Sequence, residues 1–172
     1  FSGQYIRGAS ATAIVSGDIV FDGKGPETIN YLNISTGVLK SAQFQTEPFY
    51  GFLWDNIYVF SADYRDPDFK NCLATYDFAN NSYSEYFCTN AMLLRSIGSS
   101  KAVYVDARDS VKYGHSSTDI FVFDLVAKKE IRVTEDEASQ WCPGIFKNLV
   151  VYKDFNELGP GPAGPEGLGR LW

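Results

Sequence analysis

AVYVDARD at 102–109, TDIFVFDL at 118–125 and KEIRVTEDEASQWCPGIF at 129–146 are the stretch on which the architecture turns. Val103-Tyr104-Val105 and Ile120-Phe121-Val122-Phe123 are short runs of β-branched and aromatic residues, each closed by an aspartate, Asp106 and Asp124. Runs of that length and composition, bounded by turn-forming residues, read as strands. Outward from here the same phrase recurs. Asp18-Ile19-Val20-Phe21-Asp22, Ile57-Tyr58-Val59-Phe60 leading to Asp63, and Leu149-Val150-Val151-Tyr152-Lys153-Asp154 echo the first run, with acidic marks at 22, 63, 106 and 154, spaced by 41, 43 and 48. Ile29 to Ile34 and Leu73 to Phe78 echo the second, with Asn33, Asp77 and Asp124 at intervals of 44 and 47.

Each second-set strand is followed by a turn: Ser35-Thr36-Gly37, Ala79-Asn80-Asn81 and Ala127-Lys128-Lys129. A further polar or aromatic strand comes after it, Val38 to Phe44, Tyr83 to Cys88 and Glu130 to Thr134. Upstream of each first-set strand the sequence predicts another short strand and a tight turn, at Ser16-Gly17, Asp55-Asn56, Ser99-Ser100 and Lys147-Asn148. One unit is therefore four hairpin-linked strands in roughly 45 residues, the period and strand count of a propeller blade. A β-sandwich with evenly spaced strands is the competing arrangement, and matching turns at matching offsets favour the propeller. The expected fold is all-β and propeller-like, with about three and a half four-stranded antiparallel blades and almost no helix. Residues 1–9 read as a partial blade, with 3–7 as the last strand of a preceding one. Blades follow at 10–48, 49–90 and 91–138, and 139–155 gives a second partial blade. Residues 156–172, containing Gly-Pro-Gly-Pro-Ala-Gly-Pro, read as a flexible tail.

Composition agrees with sheet. Hydrophobic residues make up 45% and aromatics 16% of the 172 residues, which suits half-buried pleated surfaces. The formal charge of −6 with no basic run argues against a nucleic-acid partner. No apolar run is long enough to span a bilayer.

The third unit resembles TolB-like β-propeller repeats of periplasmic and cell-surface proteins. The family pattern is an Asp-x-Arg-Asp turn, an Asp-Ile-Tyr-x-Tyr-Asp-Leu strand, a Lys-Glu-x-x-x-Thr step and a Pro-Ala-Ile-like step. Asp106 to Asp109, Asp119 to Leu125, Lys129 to Thr134 and Pro143 to Ile145 stand at those places. Asp63-Tyr64-Arg65-Asp66 and Tyr76-Asp77-Phe78 match in part, whereas Asp22-Gly23-Lys24-Gly25 lacks the arginine. The resemblance implies an adaptor surface, a surface-layer module or the non-catalytic domain of a peptidase.

Among candidate site residues, Asp63, Arg65, Asp66 and Asp106, Arg108, Asp109 form either a ligand-facing rim or a structural arginine–carboxylate clasp, with Arg108 expected to reach Asp119 or Asp124. Repetition at equivalent positions favours the clasp. Asp63, Asp66 and Asp68 are weak calcium candidates, since their spacing does not fit an EF-hand loop. Cys72 and Cys88 flank a turn centred at Asn80, which sets them opposite one another in a hairpin and predicts a disulfide and an oxidising compartment. Cys142 is then left over and expected to be buried. His115 is the chain's one histidine, which excludes a multi-histidine metal site. Asn33-Ile34-Ser35 and Asn80-Asn81-Ser82 fit the N-glycosylation pattern. The sequence thus predicts a non-enzymatic binding or scaffolding module that needs no cofactor. It would be extracellular, on the cell surface or periplasmic, with a protein or glycan partner, and open blade edges would allow self-association. The alternative is a fragment of a propeller domain attached to a hydrolase or peptidase.

Overall fold

The computed structural model describes residues 4–10, 13–18, 27–44, 47–64, 70–89, 92–110, 117–135 and 138–155. Among them the chain forms fourteen strands. Helical geometry occurs at one described residue, Ser110. The chain divides into two compact units, residues 1–88 and 89–172.

In the first unit, β1 (Gln4–Ala9), β2 (Ala13–Asp18), β3 (Glu27–Asn33) and β4 (Leu39–Phe44) form one antiparallel sheet in chain order. β5 (Glu47–Trp54), β6 (Ile57–Tyr64), β7 (Lys70–Asp77) and β8 (Ser82–Thr89) form the next. Along β3 the apolar residues alternate, so Ile29 and Tyr31 are buried while their neighbours are half-exposed. These side chains pack with Val15, Phe44, Phe60, Ala74 and Phe78 into a single core. Its aromatic rings interlock: Tyr31 stacks on Phe78 at 4.7 Å, and Phe44 meets Phe60 edge-on at 5.1 Å.

In the second unit, β9 (Met92–Gly98), β10 (Lys101–Asp106), β11 (Asp119–Asp124) and β12 (Lys129–Arg132) repeat the four-stranded order. β13 (Ser139–Phe146) and β14 (Leu149–Phe155) form a two-stranded sheet. β10 and β11 are buried along almost their whole length, which is why their sequences are continuous apolar runs instead of alternating ones. Val103, Val105, Ile120 and Val122 pack against Leu93, Ile145, Val150 and Tyr152.

The turns repeat as closely as the strands. Asn33, Asp77 and Asp124 each end a third strand and use Oδ1 to accept a backbone N–H two or three residues on: Thr36 at 3.0 Å, Ala79 at 2.7 Å, and both Val126 and Ala127 at 2.9 Å. Four residues beyond each stands a residue with positive φ, Gly37 (70°), Asn81 (53°) and Lys128 (51°). Register also breaks in every first hairpin, at Ile6/Gly8, Phe49/Gly51, Val103/Tyr104 and Trp141/Gly144. A bulge in the same pair of strands of each sheet sharpens the local twist.

Two expectations are corrected. β1 pairs with β2, so it belongs to the first four-stranded sheet and not to a preceding one. Ser16 and Gly17 form no turn but lie inside β2, where Gly17 is buried and sits opposite Ile29. The hairpin turns instead just after β1, where Ser10 N–H donates to the Ala13 carbonyl at 2.9 Å. Phe21 and Asp22 lie outside the described residues.

Candidate functional site

β10 ends at Asp106, and the chain then turns through Ala107. Asp106 Oδ1 accepts the Arg108 N–H at 2.8 Å, fixing the turn. This puts the Arg108 guanidinium back over the sheet, 4.3 Å from the Phe121 ring centroid. Its Nη2 donates to Asp106 Oδ2 at 2.7 Å and to Glu130 Oε1 at 2.9 Å, and Nη1 reaches Glu130 Oε2 at 3.0 Å. The Asp106 carboxylate is wholly buried, so the charge needs this partner. Burial opposes the charge on Arg108, but the hydrogen bonds it donates to Asp106 and Glu130 outweigh it and raise its pKa above the ordinary arginine value. Glu130 also accepts the phenol of Tyr104, which stacks on Phe121 at 5.7 Å. Burial, then the Glu130 hydrogen bond, push the Tyr104 pKa far above its usual value.

A second arginine works beside the first. Arg132 donates to Asp119 through Nη2 and to Asp109 Oδ2 through Nη1 at 2.9 Å. It also meets Glu135 Oε1 at 3.4 Å and donates through Nε to the Thr134 carbonyl at 2.8 Å. Behind it is a buried polar frame. Thr134 Oγ1 accepts the Ile120 N–H at 2.9 Å and lies 3.2 Å from Asp119 Oδ1 and 3.0 Å from Gln140 Oε1. Gln140 N–H in turn donates to the Thr118 carbonyl at 2.9 Å, which fastens β13 to the start of β11.

The expected reach of Arg108 to Asp119 or Asp124 is therefore corrected. Asp119 belongs to Arg132, and Asp124 caps its turn and lies 3.7 Å from Lys101. The residue missed from sequence is Glu130, a strand position where side-chain alternation points toward Arg108. Both arginines are saturated by carboxylates, and the arrangement ties strand ends together.

The other candidates fall elsewhere. Asp63 lies at the end of β6, its backbone opposite Asn71 and Glu47. Arg65, Asp66, Asp68 and His115 lie outside the described residues, as does the 156–172 segment. Cys72 and Cys88 are joined by a disulfide, with Cα atoms 4.0 Å apart, close to the ~4.5 Å of a narrow antiparallel pair. Glu85 lies beside the two sulfurs, but with both in the disulfide no thiolate remains to ligate a metal. Cys142 is exposed, contrary to expectation, because it sits in the bulge between Trp141 and Gly144 with φ at 52°. Among the described residues no helix is long and apolar enough to cross a membrane.

No protein-family model matches the chain, and no curated protein matches it in sequence. Solved structures do match it in shape. The β-propeller domain of the Trilobed protease from Pyrococcus furiosus, described as having an open velcro topology, superposes with a TM-score of 0.65 at 11% identity, over 98% of this chain and 52% of that one. The fold is that of a β-propeller. An acylaminoacyl peptidase from Pyrococcus horikoshii matches at a TM-score of 0.60 and 10% identity, over 94% of this chain and 29% of the peptidase. An acylaminoacyl peptidase in complex with Z-Gly-Gly-Phe-chloromethyl ketone matches at 0.54 and 10%, over 91% and 31%. This chain thus spans about half of the first of these chains and about a third of the other two. The arginine–carboxylate frame belongs to the β9–β12 sheet, and the disulfide joins β7 and β8 of the second sheet.

Proposed function

We propose that this chain is a non-enzymatic propeller module that acts by binding a protein or glycan partner, in an extracellular, cell-surface or periplasmic setting. The observation that carries this reading is the use made of the charged signature residues. Arg108 and Arg132 are held by Asp106, Asp109, Asp119 and Glu130, so the repeat's polar residues support the scaffold and leave contact to other surfaces. Exposed aromatics suited to contact are Tyr50, Tyr83 and Trp141. The Cys72–Cys88 bond supports an oxidising compartment, and the TolB-like phrasing of the third blade supports the same setting. Binding of a partner is expected to change Trp141 fluorescence without turnover of any peptide or ester substrate. Turnover by the chain alone, abolished by a single substitution, would end this reading.

A second reading is favoured by the structural likenesses: a propeller segment that accompanies the catalytic domain of a peptidase. The full-length reading frame decides between the two. A hydrolase domain beside the repeats supports the second reading, and further blades alone exclude it. In either case open sheet edges favour self-association, which light scattering at rising concentration would detect and a clean monomer would contradict.

A further inference from the structure

We infer that Asn80 is an N-glycosylation site, a proposal that rests on the secreted reading above. Asn80-Asn81-Ser82 is an acceptor pattern with no proline in the middle. It lies at the tip of the β7–β8 hairpin, where Asn80, Asn81 and Ser82 are all exposed. An independent observation points to the compartment in which such transfer occurs: the same hairpin is closed by the Cys72–Cys88 disulfide.

The turn geometry tolerates the modification. The cap on the Ala79 N–H comes from Asp77 Oδ1, so Asn80 is not the residue that holds the turn. Asn80 Nδ2 donates to Asp77 Oδ2 at 2.6 Å, and a glycosylated Nδ2 keeps one N–H for that bond. In the transfer, Nδ2 attacks C1 of a lipid-linked oligosaccharyl diphosphate. The N–C1 bond forms, the C1–O bond to phosphate breaks, the lipid diphosphate leaves and Nδ2 gives up one proton. The second acceptor pattern, Asn33-Ile34-Ser35, is placed differently. Asn33 is half-buried, its Oδ1 accepts the Thr36 N–H, and its Nδ2 lies 3.4 Å from the Tyr31 hydroxyl, which itself donates to Asn56 Oδ1 at 2.7 Å. A sugar there would press on that linkage. A glycan at Asn80 also has a physical role: β8 is the last strand of its sheet, and bulk beside its start blocks pairing with another edge.

The test is translation of the full chain into endoplasmic-reticulum microsomes behind a cleavable signal sequence. The expected result is one glycan-sized gel step in the protease-protected chain, removed by peptide N-glycosidase with conversion of residue 80 to aspartate. That step is lost in both Asn80→Gln and Ser82→Ala and kept in Asn33→Gln. Thiol alkylation of the same translocated chain reports the disulfide separately. A protected chain that is bridged but carries no step, or a step that survives Asn80→Gln, overturns the site and leaves the secreted reading standing.

Discussion

Gly51 shows how far a single residue can constrain this fold. A Cβ at this position would lie 1.9 Å from the Tyr58 hydroxyl oxygen and 2.0 Å from Cζ, and Tyr58 is fully buried. The buried ring would have to shift within the core, so Gly51→Ala is expected to cost about 1–3 kcal/mol, the usual range for overpacking, read as a lower urea midpoint. The cysteines give a second expectation. The native chain should show one alkylatable thiol, Cys142, and three after reduction and unfolding. Replacing Cys72 and Cys88 by serine opens a loop with a sequence separation of 16 and is expected to lower stability by about 3 kcal/mol. A native chain with three reactive thiols would contradict the bridge. The pairing of Cys72 with Cys88 was legible in sequence because a hairpin is symmetric about its turn. The exposure of Cys142 was not, because a bulge interrupts the alternation from which burial is read, and nothing in Trp141-Cys142-Pro143 announces the positive φ.

At the scale of the element, the third blade was legible as strands and turns, and its turn carboxylate Asp124 fell where the period placed it, as did Asp77 in the second. The wiring of its arginines was not legible, since which carboxylate meets which guanidinium depends on strand register and not on spacing along the chain. Register sets Phe123 opposite Glu130 and Phe121 opposite Arg132, so that Glu130 and Arg132 reach the Arg108 turn and Asp119. Arg108→Ala leaves the Asp106 carboxylate buried without its partner and is expected to cost about 3 kcal/mol. Arg108→Lys should recover only part of this, because an ammonium cannot hold Asp106 and Glu130 together through a planar fork. Full recovery of stability in Arg108→Lys would show that charge alone matters. Tyr104 contributes to the alkaline response of this blade. Its folded-state pKa is raised, so the native state keeps a proton that the unfolded state releases above about pH 10. The stabilisation is complete below that pH and falls as pH rises beyond it. Tyr104→Phe is expected to flatten the alkaline limb of the stability curve; an unchanged limb would refute the assignment.

At the scale of the whole molecule, about three and a half copies of one sheet were legible from the 41–48-residue period, and the first copy was the one misread, because Ser16-Gly17 imitates a turn and the bond pattern that holds β2 extended comes from strands on either side. The same comparison of copies exposes what the fourth lacks among the described residues: partners equivalent to β11 and β12. The second unit also has an open, largely apolar groove of about 620 Å³, whose lining includes Val122, Ile131, Val133, Ile145, Val150 and Tyr152 with Lys101 and Asn148. Ile131 and Val133 are 48% and 39% exposed there. A surface residue of this kind tolerates charge, so Ile131→Lys should change the stability of the 172-residue chain by no more than about 0.5 kcal/mol. The result should differ once the sheet is completed. Grafting a copy of residues 107–134 behind Phe155, in place of 156–172, supplies a connector and two strands with the third blade's own alternation. Pairing along β14 would then cover Val150 and Tyr152 from above and bury the original Ile131. In the graft, Ile131→Lys is expected to cost about 2 kcal/mol or more, since a full aliphatic burial of about that size is lost and a charge is trapped. Binding of a hydrophobic dye should fall on grafting for the same reason. If the substitution costs the same in both chains, the groove does not receive the grafted strands.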